Sequence, residues 1–290
     1  MEKVAVVTDS NSGITQQAAK ELGIAILPMP FSMDGKIFYE DVDLTKEMFY
    51  QKLGEGCDVA TSQPSLWAVK ELWDRLLAEY EEIVHIPMSS GLSATCASAA
   101  MLAREYGGKV QVVDNQRISI TLRQAVLDAI TLVKAGWEAA RVKEYLEKVK
   151  LDSIIYVMMD TLKYVKKGGR AGAAVAAIGS ILNIKPVLRI KGAKIEVIAK
   201  VRGVKQAVGI LLKAMRDDLA GPFKDFAVPC KMWLQVAYSN NRQAAEKFLH
   251  EVKAAFPGYD IHMDDLSLSV ACHVGPGALA IACCKKLDCQ

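Results

Sequence analysis

An apolar run, IVHIPM at 83–88, meets a hydroxyl-rich turn, SSGLSAT at 89–95, which leads into a helix-like stretch of small residues, ATCASAAMLA at 94–103. That order reads as strand, tight turn, helix. The first turn of a helix leaves backbone N–H groups without partners and carries the positive end of the helix dipole, so it attracts an anion. The turn adds three serine hydroxyls and one threonine hydroxyl, and it has no Lys or Arg. Such a site suits a carboxylate or phosphate held by hydrogen bonds rather than by ion pairing. The competing reading makes Ser89 or Ser90 a turn residue and helix cap.

The same alternation extends through the first half. KVAVVTD at 3–9 reads as a buried strand, ITQQAAKELG at 14–23 as a helix closed by Gly23, and IAILPMPF at 24–31 as another strand. In SLWAVKELWDRLLAEY at 65–80, helical spacing puts Leu66, Val69, Trp73, Leu76, Leu77 and Tyr80 on one stripe. Pro64 fits its start, with Ser62 or Thr61 as cap. KVQVVD at 109–114 is a strand, and residues 119–133 and 137–149 are helical. Strands alternating with helices predict a parallel sheet covered by helices.

The second half reads differently. Strands are predicted at 153–160, 232–239, 260–266 and 278–284, and helices at 204–219 and 241–256. KPVLRI at 185–190 and KIEVIAKV at 194–201 form a predicted β-hairpin across Lys191-Gly192-Ala193. The expected fold is thus two α/β domains, 1–150 with a parallel sheet and 151–290 with a mixed sheet. Neither an internal repeat nor a long linker is visible. In open parallel sheets ligands bind beyond the carboxyl ends of the strands. This points to Thr8-Asp9-Ser10, Thr61-Ser62-Gln63, Ser89 to Thr95, and Asp114-Asn115.

With 51% hydrophobic residues in 290, a large core is available and disorder is not expected. No apolar stretch reaches the roughly 18 residues of a membrane span. The start, MEKVAVVTDS, lacks a signal-peptide pattern. Seven cysteines without a CxxC pair read as reduced core residues of a cytoplasmic protein, and four histidines without ligand spacing argue against a metal site. The net charge of +3 is unevenly spread. Residues 161–205 hold eleven Lys and Arg against Glu196 alone, so this segment is +10. The remaining 25 basic and 32 acidic residues give −7. Such a block points to an anionic partner or a phosphate, or else to a solvated face. Nucleic acid is disfavoured, because interleaved aromatics and recognisable binding patterns are missing.

TDS at 8–10, TSQPS at 61–65, SSGLSATCASA at 89–99, KKGGRAG at 166–172, LNIKP at 182–186 and HVGPG at 273–277 occur in this order and spacing. Together they resemble the DegV family, which includes the fatty-acid-binding subunits of bacterial fatty acid kinase. The resemblance spans nearly the whole chain. It implies a two-domain α/β protein that holds a long-chain fatty acid, such as palmitate, stearate or oleate, between its domains. It also implies a separate kinase subunit that makes the acyl phosphate, and no catalytic site or cofactor in this chain. Carried over by motif, Ser93 would hydrogen-bond the carboxylate. Thr61, with neighbouring Ser62, would join it, Ala94 would offer its backbone N–H, and His273 would reach the carboxylate from the second domain. Arg170 and Arg202 would face the kinase or the acyl phosphate. No nucleic acid and no membrane span are implied; transient membrane contact stays open.

The chain departs from the family pattern at several places. Ala94 stands where Gly is common, Cys96-Ala97 where Tyr-Gln is common, Gly13 near an expected Asp, and Asn115 where Ser is usual. The smaller residues leave the preferred acyl chain open. A second reading is a serine hydrolase using Ser93 and His273, but the nucleophile elbow is GxSxG and Thr95 occupies its last position. A self-sufficient kinase is excluded by the lack of a P-loop and of protein-kinase motifs.

Overall fold

A computed structural model describes residues 2–168 and 184–287. Two compact units divide the chain. One comprises Met1–Lys150 with Ser267–Ser269, the other Leu151–Leu266 with Val270–Gln290.

The first unit is built on four parallel strands in the order β2-β1-β6-β7. They are β1 (Glu2–Asp9), β2 (Ala25–Leu27), β6 (Tyr80–Ile86) and β7 (Val110–Val112). Their apolar side chains meet α3 (Leu66–Leu77) and α4 (Thr95–Ala103) on one face. That core contains Val7, Val69, Leu72, Trp73, Ile83, Ala99 and Val112. Trp73 is fully buried, its ring edge-on to His85 and Tyr106 at 5.6 and 5.4 Å. The helical stripe is confirmed at Val69 and Trp73, but Leu66 is 38% exposed and Tyr80 opens β6. The predicted cap is corrected. Ser65, not Ser62 or Thr61, caps α3, its Oγ accepting from Ala68 N–H at 3.1 Å. The next helices are α5 (Ser119–Lys134), which packs on β1, and α6 (Ala139–Lys148).

A small antiparallel sheet, β4-β3-β5, has no counterpart in the sequence reading. It consists of β3 (Pro30–Met33), β4 (Lys36–Tyr39) and β5 (Val59–Thr61), with α2 (Lys46–Gly54) between the last two. The predicted strand 24–31 is in fact two, β2 and β3, in different sheets. Pro28 has no N–H to extend the parallel ladder, and the chain turns away there. Just beyond β4, Glu40 is buried and accepts the Leu268 N–H at 2.7 Å, which ties 267–269 to this unit. Burial pushes its carboxyl up to about 7.

The second unit has a six-stranded mixed sheet, β10-β9-β8-β13-β11-β12. Its strands are β8 (Ser153–Met158), β9 (Lys185–Lys191), β10 (Lys194–Val201), β11 (Met232–Tyr238), β12 (Ile261–Asp265) and β13 (Leu279–Lys285). All neighbours run antiparallel except β11 and β12. The predicted hairpin is present, with Lys194 opposite Lys191 and Gly192 at φ 58° in the turn. Two long helices, α8 (Val204–Ala220) and α9 (Arg242–Ala255), supply Leu211, Met215, Phe248 and Val252 to a core with Tyr156, Val187, Leu234 and Ile281. The short α7 spans Lys163–Gly168, and α10 spans Leu268–Val274. Among the described residues no helix is long and apolar enough to cross a membrane. Cys96, Cys272, Cys283 and Cys284 are buried, as core thiols should be, whereas Cys230 is exposed.

Candidate anion site at the serine turn

The turn is organised from β1 and β6 upward. Thr8 Oγ1 donates to Ile86 O at 2.7 Å, locking the two strand ends together. The next residue, Asp9, is fully buried. Its Oδ2 accepts the Met88 N–H at 2.9 Å, and its Oδ1 accepts from Asn11 N and Nδ2 at 3.0 and 2.8 Å. Burial raises its carboxyl to about 6 against those hydrogen bonds. Asp9 thereby holds the backbone just before the turn.

Each hydroxyl of SSGLSAT has its own task. Ser89 is buried and shapes the turn. It donates its N–H to Arg117 O at 2.8 Å, its carbonyl accepts from Leu92 and Ser93 N–H, and its Oγ accepts from Gly91 N–H. Ser90 Oγ donates to Asp114 Oδ2 at 2.7 Å, and its N–H to Oδ1 at 3.3 Å. Neither serine caps α4; its cap position is Ala94, without a side-chain bond. Ser93 Oγ accepts the Thr95 N–H at 3.2 Å and shares a 2.8 Å hydrogen bond with Thr95 Oγ1. Ser93 is half-buried and Ala94 exposed. The N–H groups of Cys96 and Ala97 lie in the first turn of α4, where a helix offers them no carbonyl. A hydroxyl pair and a helix start are therefore what this turn presents to an anion.

The TSQPS segment reaches the same helix. Thr61 ends β5, opposite Phe31, and is half-buried. Ser62 donates its N–H to Pro30 O at 3.2 Å and exposes its side chain. Gln63 Oε1 accepts from Ser98 Oγ of α4 at 3.3 Å. The two motifs thus meet across α4. Among the described residues no group of three or more His, Cys, Asp or Glu side chains converges as a metal ion would require.

His273 lies in the second unit, half-buried in the last turn of α10 rather than in a plain loop. The glycines after it are structural. Gly275 has φ 77°, and a Cβ there would stand 2.2 Å from the Tyr164 ring. Its carbonyl accepts from Ser239 Oγ at 2.6 Å. Arg202 follows β10 at an exposed bend. Nearby, Arg189 bonds Glu196, the only acid of the basic block, at 2.5–2.8 Å, and Lys185 pairs with Asp160. Lys194, Lys200, Arg202 and Lys205 remain exposed. Arg170 and most of KKGGRAG lie outside the described residues.

The sequence reading placed Thr8-Asp9-Ser10 and Asp114-Asn115 among the polar turns where a ligand could bind, without a structural role for either acid. It missed Asp9 as the brace of the serine turn and Asp114 as the partner of Ser90. A carboxylate directly after a buried strand, with Asn two residues on, is the signal that could have drawn attention to Asp9. Nothing at Ser93 supports a hydrolase. It is not among the residues with positive φ, as a strained elbow would require, and its described Oγ partners are the hydroxyl and N–H of Thr95.

The fold and this turn define a class: α/β proteins of two units, with a hydroxyl-rich turn at a helix start beyond a parallel sheet. Residues 3–286 match the DegV family. The chain belongs to that family. A DegV domain-containing protein of Caldanaerobacter subterraneus subsp. tengcongensis is 31% identical, with 88% of each chain covered. Two solved structures share the fold. A fatty-acid-binding DegV family protein from Thermus thermophilus is 30% identical with a TM-score of 0.87, over 98% of this chain and 100% of that one. DegV of Bacillus subtilis, a fatty acid binding protein, is 27% identical with a TM-score of 0.86, over 99% and 100%.

Proposed function

We propose that this chain binds a long-chain fatty acid, of the palmitate, stearate or oleate type, and presents its carboxylate to a separate kinase subunit that forms the acyl phosphate. The observation that carries the binding step is the serine turn. Ser93 Oγ and the first N–H groups of α4 form a neutral, hydrogen-bonding anion site with no Lys or Arg in the turn. The fatty-acid-binding relatives from Thermus thermophilus and Bacillus subtilis support the choice of anion. In this reading Ser93 and the Ala94 backbone hold the carboxylate, Thr61 and Ser62 complete the wall, and His273 contributes through the HVGPG motif. Arg170 and Arg202 face the kinase, in keeping with the basic block. The chain acts in the cytoplasm as a carrier and has no chemistry of its own.

The test is a thermal-shift or calorimetric series in acetate, octanoate and palmitate below micelle formation, with mass spectrometry of an organic extract of the purified protein. Each buried methylene contributes about 0.8 kcal/mol, so octanoate, eight methylenes shorter than palmitate, forfeits roughly 6 kcal/mol gross. A ligand bound only to the folded state raises the melting temperature. Palmitate should stabilise strongly, octanoate weakly and acetate not at all. Equal effects of the three acids, or no binding and no co-purified lipid, would remove the carrier reading.

A further inference from the structure

The chain leaving β8 packs on both glycines of the HVGPG turn. Tyr164 covers Gly275, and a Cβ at Gly277 would stand 3.4 Å from Asp160 Cβ. Asp160 in turn holds Lys185, the lysine of LNIKP, a motif with no part in the reading above. Lys185 Nζ donates to Asp160 Oδ1 and, at 3.4 Å, to Asp160 O. Strand register fixes where this pair sits. β10 ends at Val201, opposite Lys185, the first residue of β9. Next to β9 is the end of β8, with Met158 opposite Val187. Met158 is also opposite Leu279, which opens β13 just after HVGPG. Across this end of the second unit's sheet the order is therefore Arg202, Lys185, Asp160, HVGPG. Lys185 stands between Arg202 and the turn that follows His273.

Lys163, Lys200, Arg202 and Lys205, near the same strand ends, are exposed. Lys185 keeps only 19% of its side chain exposed, so its stem is packed while its ammonium reaches the strand ends. Its partner is the more exposed member, Asp160 at 52%. An ion pair open to water on one side contributes little, and Asp160 stays hydrated when the lysine leaves it. A deeply buried carboxylate would resist losing its partner. The pair is thus built to exchange. The proposed reaction changes the charge that this end of the sheet meets. A carboxylate carries one negative charge, whereas a phosphoryl group carries close to two, spread over three acceptor oxygens. The hydroxyls and helix start of the serine turn suit the first ion and supply no Lys or Arg for the second. With His273 at the carboxylate and Arg202 toward the kinase, the phosphoryl group arrives between them, where Lys185 stands. A lysine ammonium is a compact point charge suited to phosphate.

We propose that Lys185 is the phosphate-binding residue of this chain, exchanging Asp160 for the phosphoryl group of the acyl phosphate. The proposal rests on the reading above, in which His273 meets the head group. Asp160 is the placeholder. It keeps Lys185 aligned while the plain fatty acid is bound, and it competes with any anion for the ammonium. One ion pair then tells the two ligands apart: the fatty acid leaves it closed, and the acyl phosphate opens it.

The experiment is calorimetric titration of the purified chain with palmitate and with hexadecyl phosphate, a stable alkyl phosphate, each below its micelle concentration. The quantity read is the ratio of phosphate affinity to palmitate affinity. In Lys185→Met this ratio should fall by about 10- to 100-fold, the loss of one charge-assisted hydrogen bond. Lys185→Arg keeps the charge and should restore most of it. Asp160→Asn removes both the competitor and a like charge, and should raise the ratio severalfold. Melting curves identify any variant that folds poorly. Lys185→Arg and Asp160→Asn preserve the size of the site and carry the test if Lys185→Met does not fold. An unchanged ratio in folded Lys185→Met, or in Asp160→Asn, overturns the proposal. Equal loss of both ligands in the variants also overturns it and makes the pair a clamp between β8 and β9. A parent that binds palmitate but not hexadecyl phosphate has the same consequence. A parent that binds neither ligand instead sinks the fatty-acid reading itself.

Discussion

The two units bury different kinds of residue. Among the described residues the buried polar side chains of the second unit are Ser153, Gln235 and Ser239. The first unit buries Thr8, Asp9, Asn11, His85, Ser89, Thr95, Asn115, Arg117 and Asp128, with others. Unit two keeps its charges outside, on the β9–β10 hairpin. Parallel strands end together at one side of their sheet, so their polar turns crowd into one region. An antiparallel hairpin returns at the edge and meets solvent. The contrast separates two duties: a desolvated polar region suited to recognising a ligand atom by atom, and an exposed charged face suited to encounter with a partner.

Predictions follow from that contrast, the largest first. Trp73→Ala should destabilise the first unit by about 3–5 kcal/mol in denaturant unfolding, since a fully buried ring leaves a cavity. Lys200→Ala, on the exposed hairpin, should stay within about 0.5 kcal/mol of the parent. Comparable losses would erase the distinction.

Ser93→Ala should weaken oleate binding by about 1.5–3 kcal/mol, the worth of a hydrogen bond to a charged group, with little change in melting temperature. Ser90→Ala breaks the Asp114 contact instead and should lower the melting temperature more than the affinity. If the two variants exchange these phenotypes, the division of labour within the turn is wrong.

A third test uses pH. His85 is held near 3 by burial and rises to about 6.5 when the chain unfolds. Below about 6.5 the unfolded chain binds a proton that the folded chain refuses, so stability falls as pH drops. Asp9 and Glu40, raised to about 6 and about 7, act oppositely and lose stabilising effect as pH rises through those values. His85→Leu should therefore gain on the parent by up to about 1.4 kcal/mol per pH unit between 6 and 4. Parallel stability curves for parent and variant would place the acid sensitivity elsewhere.

The smallest effects belong to the hairpin. Glu196→Gln removes a half-exposed ion pair with Arg189 and should cost no more than about 1 kcal/mol. Arg202→Ala should leave oleate affinity intact while slowing acyl phosphate formation with a cognate kinase, more so at low salt. Equal turnover at every ionic strength would take Arg202 off the partner surface.

Sequence alone determined the alternation that makes the first sheet parallel, the hairpin turn at Gly192 and the strand-turn-helix order around Ser93. These are local: period, turn chemistry and helix-compatible residues lie within a few positions of one another. The six short motifs were likewise legible, and with them the family. Only the tertiary structure decided which hydroxyls of the turn are taken up by internal contacts. Ser89, Ser90 and Ser93 are alike in sequence, but Ser89 is buried with its Oγ accepting the Gly91 N–H, and Asp114, 24 residues away, claims the Ser90 hydroxyl. The small sheet of β3, β4 and β5 was equally hidden, since strands of three or four residues carry too few side chains to display a period. Asp9 was readable as a turn residue but not as a buried carboxylate that holds Met88 and Asn11. Burial and charge balance are properties of everything packed around a group, and a linear pattern does not contain them.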